Sequence, residues 1–157
     1  MNTQIKSYIQ QFSDVFNGNP WLDETFAKKL DSLTAQQAFT AAPDNNHTVA
    51  EVVSHIIIWR EELLCRLANN SSKRLLTEEG DDWKPLQALQ QTGWPQLFSA
   101  FKQSQQQLIS FLESRDDDFL RQPHADTRWN NEYFVAGLLH HDLYHLGQIG
   151  LILKWAR

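Results

Sequence analysis

Two histidines four residues apart, His141 and His145, are the first feature of this sequence that suggests chemistry. If their segment is helical, residues at this spacing lie about 40° apart around the axis and about 6 Å apart along it. Both imidazoles can then point in one direction and bind one metal ion. His140 lies about 100° to the side of His141 and is not expected to share that ion. The role of His140 stays open. It is a donor in a second layer around the ligands, a side chain that faces a partner, or simply an exposed residue.

A catalytic ion usually has three protein ligands and one open position, so a third ligand must come from elsewhere in the chain. His55 is the best candidate because it lies in the middle of an apolar segment, with Ile56 and Trp59 on or beside its face. A buried imidazole needs a polar partner, and an ion shared with His141 and His145 would provide one. The alternative, a metal-free bundle whose histidines are packing residues, stays open.

Three side chains near these histidines are assigned to the pocket or to a second layer around the ligands. Trp59 comes one turn after His55 and either forms a wall of the pocket or packs in the core. Tyr144 can supply a proton or can pack with its hydroxyl satisfied. Gln148 lies three residues after His145 and can orient a bound water or a substrate, or can hydrogen-bond to a neighbouring helix.

No general base is evident. In zinc proteases a glutamate directly follows the first histidine of the pair, whereas here Asp142 follows His141. Asp142 points about 100° away from His141, so we expect a solvated acid rather than a group that orients a histidine. Cys65 lies roughly 15 Å beyond His55 along a helix and is assigned to packing. A structural zinc site usually has a fourth protein ligand, often cysteine, so this site is predicted to stay open.

The elements that must position these residues are helices. Apolar residues recur at spacings of three and four along four long segments, which lie at about 2–16, 48–70, 94–115 and 132–154. A further helical stretch is predicted for about 21–33. Thr34-Ala-Gln-Gln37 and Thr48-Val-Ala-Glu51 have the capping-box pattern that begins a helix. We find no strand pattern, so we predict an all-α four-helix bundle with long crossover connections and one domain over 1–157.

Three polar segments are predicted to be loops: 41–47, 71–91 and 124–131. The second is the longest, and long loops in compact domains are often functional. We therefore expect the second and third loops to shape a substrate pocket. His47 precedes a helix cap and His124 lies in a loop, and neither is assigned to the site.

Composition restricts the expected cellular compartment and the expected classes of partner. The chain has 157 residues, 14 basic and 19 acidic, with a net charge of −5, which argues against a nucleic-acid partner. Its single cysteine cannot form an internal disulfide. We see no signal-peptide pattern and no apolar run near 18 residues, so we expect a cytoplasmic protein without a membrane partner. A homodimer is compatible with a helical bundle, although no residue pattern specifies one.

Three segments of the chain resemble the DinB-like superfamily, and the resemblance covers nearly the full length. Asn19-Pro20-Trp21 resembles an early tryptophan element of that family. Thr48-Val-Ala-Glu-Val-Val-Ser-His55-Ile-Ile-Ile-Trp59 matches a capped helix that carries the first metal ligand and a tryptophan four residues later. The most specific match is Gly137-Leu-Leu-His-His-Asp-Leu-Tyr-His-Leu-Gly-Gln-Ile149, in which two ligands stand four residues apart.

This resemblance implies a four-helix bundle with a three-histidine site for a divalent ion, Zn²⁺ or Ni²⁺, whose ligands would be His55, His141 and His145. Relatives in the superfamily include thiol-dependent transferases and isomerases that use bacillithiol or mycothiol, and proteins described as metal-dependent hydrolases. The expected function is therefore a metal-dependent thiol (S-)transferase or hydrolase that acts on a small molecule, with a low-molecular-weight thiol as a candidate partner. The alternative is a non-catalytic bundle that uses the metal as a structural staple or binds a ligand.

Overall fold

The computed structural model describes residues 2–41, 47–71, 81–125 and 127–155. These ranges contain eight helices and no strand, apart from an isolated bridge between Pro123 and Asn130. The helices are α1 (Thr3–Asn17), α2 (Phe26–Leu30), α3 (Ala35–Ala38), α4 (Val49–Asn69), α5 (Leu86–Thr92), α6 (Trp94–Glu113), α7 (Asp117–Arg121) and α8 (Asn131–Trp155). None of these helices is long and apolar enough to cross a lipid bilayer.

The four long helices α1, α4, α6 and α8 form the bundle. Helix α4 packs against both α6 and α8, and α1 packs against the same two helices. Each long helix contributes fully buried apolar side chains to one core, among them Ile5, Phe12, Val52, Ile56, Phe101, Leu108, Ile149 and Ile152. The prediction of an all-α four-helix bundle is confirmed. The single-domain boundary and the homodimer stay predictions.

Two capping boxes form as the sequence predicts. The Thr48 hydroxyl accepts a hydrogen bond from the Glu51 backbone N–H at 3.2 Å, and the Glu51 carboxylate accepts one from the Thr48 N–H at 2.7 Å. Thr34 and Gln37 make the reciprocal pair at the start of α3. Each box satisfies N–H groups that the first turn of a helix leaves without an intrahelical partner. The Thr48 box fixes the start of the helix that carries His55.

Helix α1 is capped by a residue far away in sequence. The Asp117 carboxylate accepts hydrogen bonds from the backbone N–H groups of Thr3, Gln4 and Ile5 at 2.9, 3.1 and 2.9 Å. The bond from Ile5, with smaller contributions from Gln4 and Thr3, lowers the pKa of Asp117 below its ordinary value. The N-terminus of α1 is thereby joined to α7, a connection that local sequence patterns did not indicate.

The predicted loop over 71–91 is wrong at its C-terminal end, where α5 forms from Leu86 to Thr92. The apolar anchor of this helix is Leu89, which is buried against the bundle. Gly93 has a φ of 85°, in the region that favours glycine, and so separates α5 from α6. Within that predicted loop 72–80 lie outside the described residues, as do 42–46 of the predicted loop at 41–47.

The helix predicted over 21–33 is shorter in the structure. It begins at Phe26, where the Thr25 hydroxyl accepts a hydrogen bond from the Lys28 N–H at 3.1 Å, and it ends at Leu30. The preceding turn contains Asp23 with a positive φ of 54°, which a right-handed helix cannot accommodate. Trp21 therefore lies outside the helix and is almost fully exposed.

Candidate metal centre

Three histidines converge between α4 and α8. His55 comes from α4, and His141 and His145 come from α8. The Nε2 atoms of His55 and of His145 each lie 3.1 Å from Nε2 of His141. All three donor atoms lie within 4.8 Å of one another. This set is called the histidine cluster below.

Helical spacing explains why α8 presents two of these rings. His145 belongs to a buried stripe whose members recur at spacings of three and four, namely Leu138, Leu139, Asp142, His145, Leu146, Ile149 and Ile152. His141 borders this stripe and is half-buried. On α4, His55 stands beside the fully buried Ile56, so the packing of α4 on α8 carries its ring to the other two.

Two of the three rings are held by hydrogen bonds on their far side. Nδ1 of His55 donates to the backbone carbonyl of Asp82 at 3.0 Å, and Nδ1 of His145 donates to Oε1 of Gln148 at 2.8 Å. Since both partners are acceptors, the ring proton lies on Nδ1 and the lone pair on Nε2 faces the cluster. Within the described ranges, the buried Nδ1 of His141 has no hydrogen-bond partner.

The cluster favours neutral imidazoles. Burial lowers the pKa of His141 to about 3, and the nearby His145, His55 and Arg60 add to this shift. Burial also lowers the pKa of His55, against the opposing effect of the hydrogen bond to Asp82. It lowers the pKa of His145 as well, against the opposing hydrogen bond to Gln148. Neutral rings with free lone pairs are the form in which histidine binds a metal ion.

The donor set fits one small divalent ion. Zinc–nitrogen bonds of about 2.0–2.1 Å in a tetrahedral site place neighbouring donor atoms about 3.3 Å apart. The 3.1 Å separations between His141 and the other two rings come close to that value. In the part of the chain that the structure describes, no cysteine or carboxylate joins the three histidines in the group. Three nitrogens on one side of an ion would leave a position open on the other.

His55 belongs to a stack of three aromatic rings, and the other two, Trp83 and His47, were not assigned to the site from the sequence. Trp83 lies between His47 and His55, with ring centroids 3.7 and 4.0 Å away and ring planes within 10° and 17° of parallel. No local pattern marks Trp83, because it reaches His55 only after the chain before α5 folds back onto α4, and His47 joins the stack through its contact with Trp83.

Trp59 and Asp82 lie beside this ring stack and contact the histidine cluster. The indole N–H of Trp59 donates to Oδ2 of Asp82 at 3.0 Å, and its ring centroid lies 5.8 Å from that of His141. Asp82 thus holds His55 through its backbone carbonyl and Trp59 through its carboxylate. Of the other residues assigned to the pocket or its second layer, Gln148 contacts the cluster directly, whereas Tyr144 is 70% exposed and touches His145 with its ring.

The remaining candidates lie outside the cluster. His140 is exposed on α8. His124 is fully buried, with its ring nitrogens 2.9 Å from Oδ1 of Asn131 and 3.2 Å from the carbonyl of Ser71. Cys65 is half-buried and contacts the side-chain amide of Asn69.

The expectation that Asp142 is a solvated acid is wrong. Its side chain is 1% exposed, and Oδ2 lies 2.6 Å from the guanidinium of Arg60, which is equally buried. Arg60 also donates to Oγ of Ser104 at 3.0 Å. Burial raises the pKa of Asp142, while Arg60 acts in the opposite direction. The one signal in the sequence was a charged Arg60 on the apolar stripe of α4, four residues after Ile56.

Solved structures contain a similar fold. The colibactin self-resistance protein ClbS, whose crystal structure is in complex with double-stranded DNA, superimposes with a TM-score of 0.61 at 19% sequence identity. The match covers 96% of this chain and 91% of that chain. It overturns the expectation that nucleic acid is excluded as a partner, because a protein of this fold is seen with DNA. A net negative charge does not by itself exclude such a partner, because it does not report how charge is distributed over the surface.

Sequence comparison identifies the family. No protein with a curated description matches the chain at a significant level. The family model of the DinB superfamily matches residues 22–149, which include all three members of the histidine cluster. That range covers well over half of the 157 residues. The chain therefore belongs to the DinB superfamily.

Proposed function

We propose that His55, His141 and His145 bind one divalent metal ion, Zn²⁺ or Ni²⁺, and that the protein uses it to act on a small molecule. The observation that carries this proposal is the convergence of the three rings: Nε2 of His55 and Nε2 of His145 each lie 3.1 Å from Nε2 of His141, and all three donor atoms lie within 4.8 Å of one another. Hydrogen bonds on Nδ1 that fix the ring orientation are typical of metal-binding histidines, and two of the three rings have one.

Three neutral imidazoles leave the full double charge on an ion. A bound divalent ion of this kind lowers the pKa of a coordinated water or thiol and so supplies a nucleophile near neutral pH. The chain contributes the orientation of the ligands through Asp82 and Gln148, and aromatic walls that restrict water through Trp59 and Trp83. These features support a metal-dependent thiol (S-)transferase or hydrolase, with a low-molecular-weight thiol as candidate co-substrate.

A structural staple is the second candidate. An ion in the histidine cluster would link α4 to α8, the two helices that supply its ligands. A staple predicts metal-dependent stability without turnover. Against it, structural zinc sites usually have four protein ligands, and the described residues bring together three.

Double-stranded DNA is a further candidate partner, and the similarity in fold to ClbS supports it. Fluorescence anisotropy with a labelled duplex tests this idea at two salt concentrations, because binding to the phosphate backbone weakens steeply with salt. Saturable binding that weakens with added salt would support a DNA partner. No change in anisotropy at low salt would exclude one.

Metal analysis tests the primary proposal. Untagged protein purified under metal-replete conditions should contain one ion per chain by mass spectrometry of the metals. His141→Ala should lose it, because two imidazoles remain. His140→Ala is the matched control, since His140 is the adjacent residue but is exposed and outside the cluster. Wild-type protein without stoichiometric metal, or equal metal in both variants, would contradict the proposal.

Turnover assays then separate the two activities from the staple. The metal-loaded protein is incubated with an electrophile, 1-chloro-2,4-dinitrobenzene, and a panel of cellular thiols, and the conjugate is measured by absorbance. Conjugation that chelation abolishes and the metal restores would support a transferase. Activity only on ester or amide substrates would support a hydrolase. Stability that depends on the metal without either activity would favour the staple.

A further inference from the structure

A cavity of about 400 Å³ lies beside the histidine cluster, between α4 and the first half of α8. Its size falls within the range of about 300–1,000 Å³ that small-molecule sites occupy. Trp59 and His141 form the end next to the cluster, and Leu63, Phe134 and Leu138 line the rest. The cavity therefore runs from the surface to a ring that we assign as a metal ligand.

Gly137 lies in the wall of this cavity. It is inside α8, has no positive φ, and a Cβ built on it would meet nothing within 4 Å. Neither backbone conformation nor close packing therefore requires glycine there, although glycine weakens a helix relative to alanine. Because Gly137 has no side chain, the space beside it in the cavity stays open.

Among the described residues that line the cavity, Arg66 is the one with a permanently charged side chain. It is largely buried, and its guanidinium carbon lies 5.3 Å from the centre of the Phe134 ring. Its contact with Glu62 is long, at 3.9 Å. Within the described residues, its buried Nε–H has no hydrogen-bond partner. The side chain is still 14% exposed and lines the cavity, so its guanidinium can donate a hydrogen bond to an oxygen of a bound molecule there.

We propose that this cavity binds the substrate, and that the substrate has an aromatic body and a carboxylate that faces Arg66. The apolar walls would cover the ring system, and the end beside Trp59 and His141 would receive the reactive group. The placement of the reactive group rests on the proposed metal function. Binding of the aromatic carboxylate itself depends only on the cavity and Arg66.

The test is a titration of the full-length protein with 2-naphthoate. Binding is measured by isothermal titration calorimetry and, in a parallel titration, by NMR of the backbone amides. We expect saturable binding at one site, with the largest shifts at residues that line the cavity. Gly137→Leu should weaken binding at least about tenfold, because the new side chain occupies the open space. Gly147→Leu is the matched control: it lies on the same helix, has equal space around its Cβ, and does not line this cavity. Both changes favour helix formation, so neither is expected to unfold the protein.

Arg66→Gln should weaken 2-naphthoate by about tenfold, since a hydrogen bond to a charged group is lost. Absence of saturable binding by the wild type, or equal binding by the Gly137→Leu and Gly147→Leu proteins, would overturn the proposal. The metal content of the same samples keeps the two proposals separate. Protein that contains an ion but does not bind 2-naphthoate contradicts the cavity proposal alone. Protein that binds 2-naphthoate but contains no ion contradicts the metal proposal alone.

Discussion

The guanidinium of Arg60 and the carboxylate of Asp142 lie 2.6 Å apart in an ion pair that is 1% exposed on both sides. Arg60 follows His55 by five residues on α4, and Asp142 follows His141 directly on α8. The pair therefore joins the two helices of the histidine cluster close to the rings themselves. A buried ion pair adds little net stability against an apolar replacement, but removal of one partner leaves an uncompensated buried charge.

Loss of Arg60 should destabilise the bundle strongly. Arg60→Met leaves Asp142 buried without its partner, and we expect the free energy of unfolding to fall by about 3–5 kcal/mol. Chemical denaturation followed by circular dichroism measures this change. The double variant Arg60→Met/Asp142→Leu removes both charges and should recover most of the loss. If the single and double variants are equally stable, the buried charge is not the cause.

Gln148 should control metal affinity without binding the ion. Its Oε1 accepts the hydrogen bond from Nδ1 of His145, and loss of such a partner typically lowers metal affinity about 10–100-fold. Gln148→Ala should show this decrease in competition with a chelating dye. Gln107→Ala, an exposed glutamine on α6, serves as control. Unchanged affinity in Gln148→Ala would show that His145 is oriented by other contacts.

The metal-free protein should lose stability as the pH falls below neutrality. The pKa of His141 is lowered to about 3 in the folded state, against 6.5 as its ordinary value. Between these values the unfolded chain takes up a proton that the folded chain does not, so the stabilisation is complete above about pH 6.5 and is lost toward lower pH. From pH 7 to pH 5 this single group removes about 2 kcal/mol.

Denaturant titrations of chelator-treated protein at several pH values measure this dependence. His141→Gln should reduce the pH dependence, because one of the three histidines with a lowered pKa is gone, while His55 and His145 remain. His140→Gln, at the neighbouring exposed position, should leave the slope as it is in the wild type. A slope that is the same in all three proteins would place the proton uptake elsewhere.

Asp117 should stabilise α1 across the bundle. Asp117→Ala removes the acceptor for three backbone N–H groups of α1, so the denaturation midpoint should fall. Because the pKa of Asp117 is lowered in the folded state, its contribution is present above the ordinary carboxyl pKa and is lost as acid protonates it. Asp118→Ala is the control, since that carboxylate is exposed and pairs with the exposed Arg121. Equal midpoints for the two variants would contradict a capping role.

Much of the local structure and part of the candidate site could be predicted from the sequence. The capping boxes at Thr34 and Thr48 and the shared face of His141 and His145 depend on residues three or four positions apart. A helix sets those relations whatever the chain around it does. The amphipathic periodicity of the long helices likewise determined a four-helix bundle, because each apolar face must be buried against another.

Only the tertiary structure decided which residues of different helices contact each other. His55 reaches His141 across 86 residues, Arg60 reaches Asp142 across 82, and Asp117 reaches Thr3 across 114. No local pattern encodes such pairs, because they depend on how α1, α4, α7 and α8 pack. For the same reason the sequence does not reveal the burial of Asp142: its position on α8 is a local property, but its burial depends on Arg60 from α4. The amino-acid sequence by itself determined which helices form and which way two histidines face, and the packing of α4 on α8 made those residues a three-histidine site.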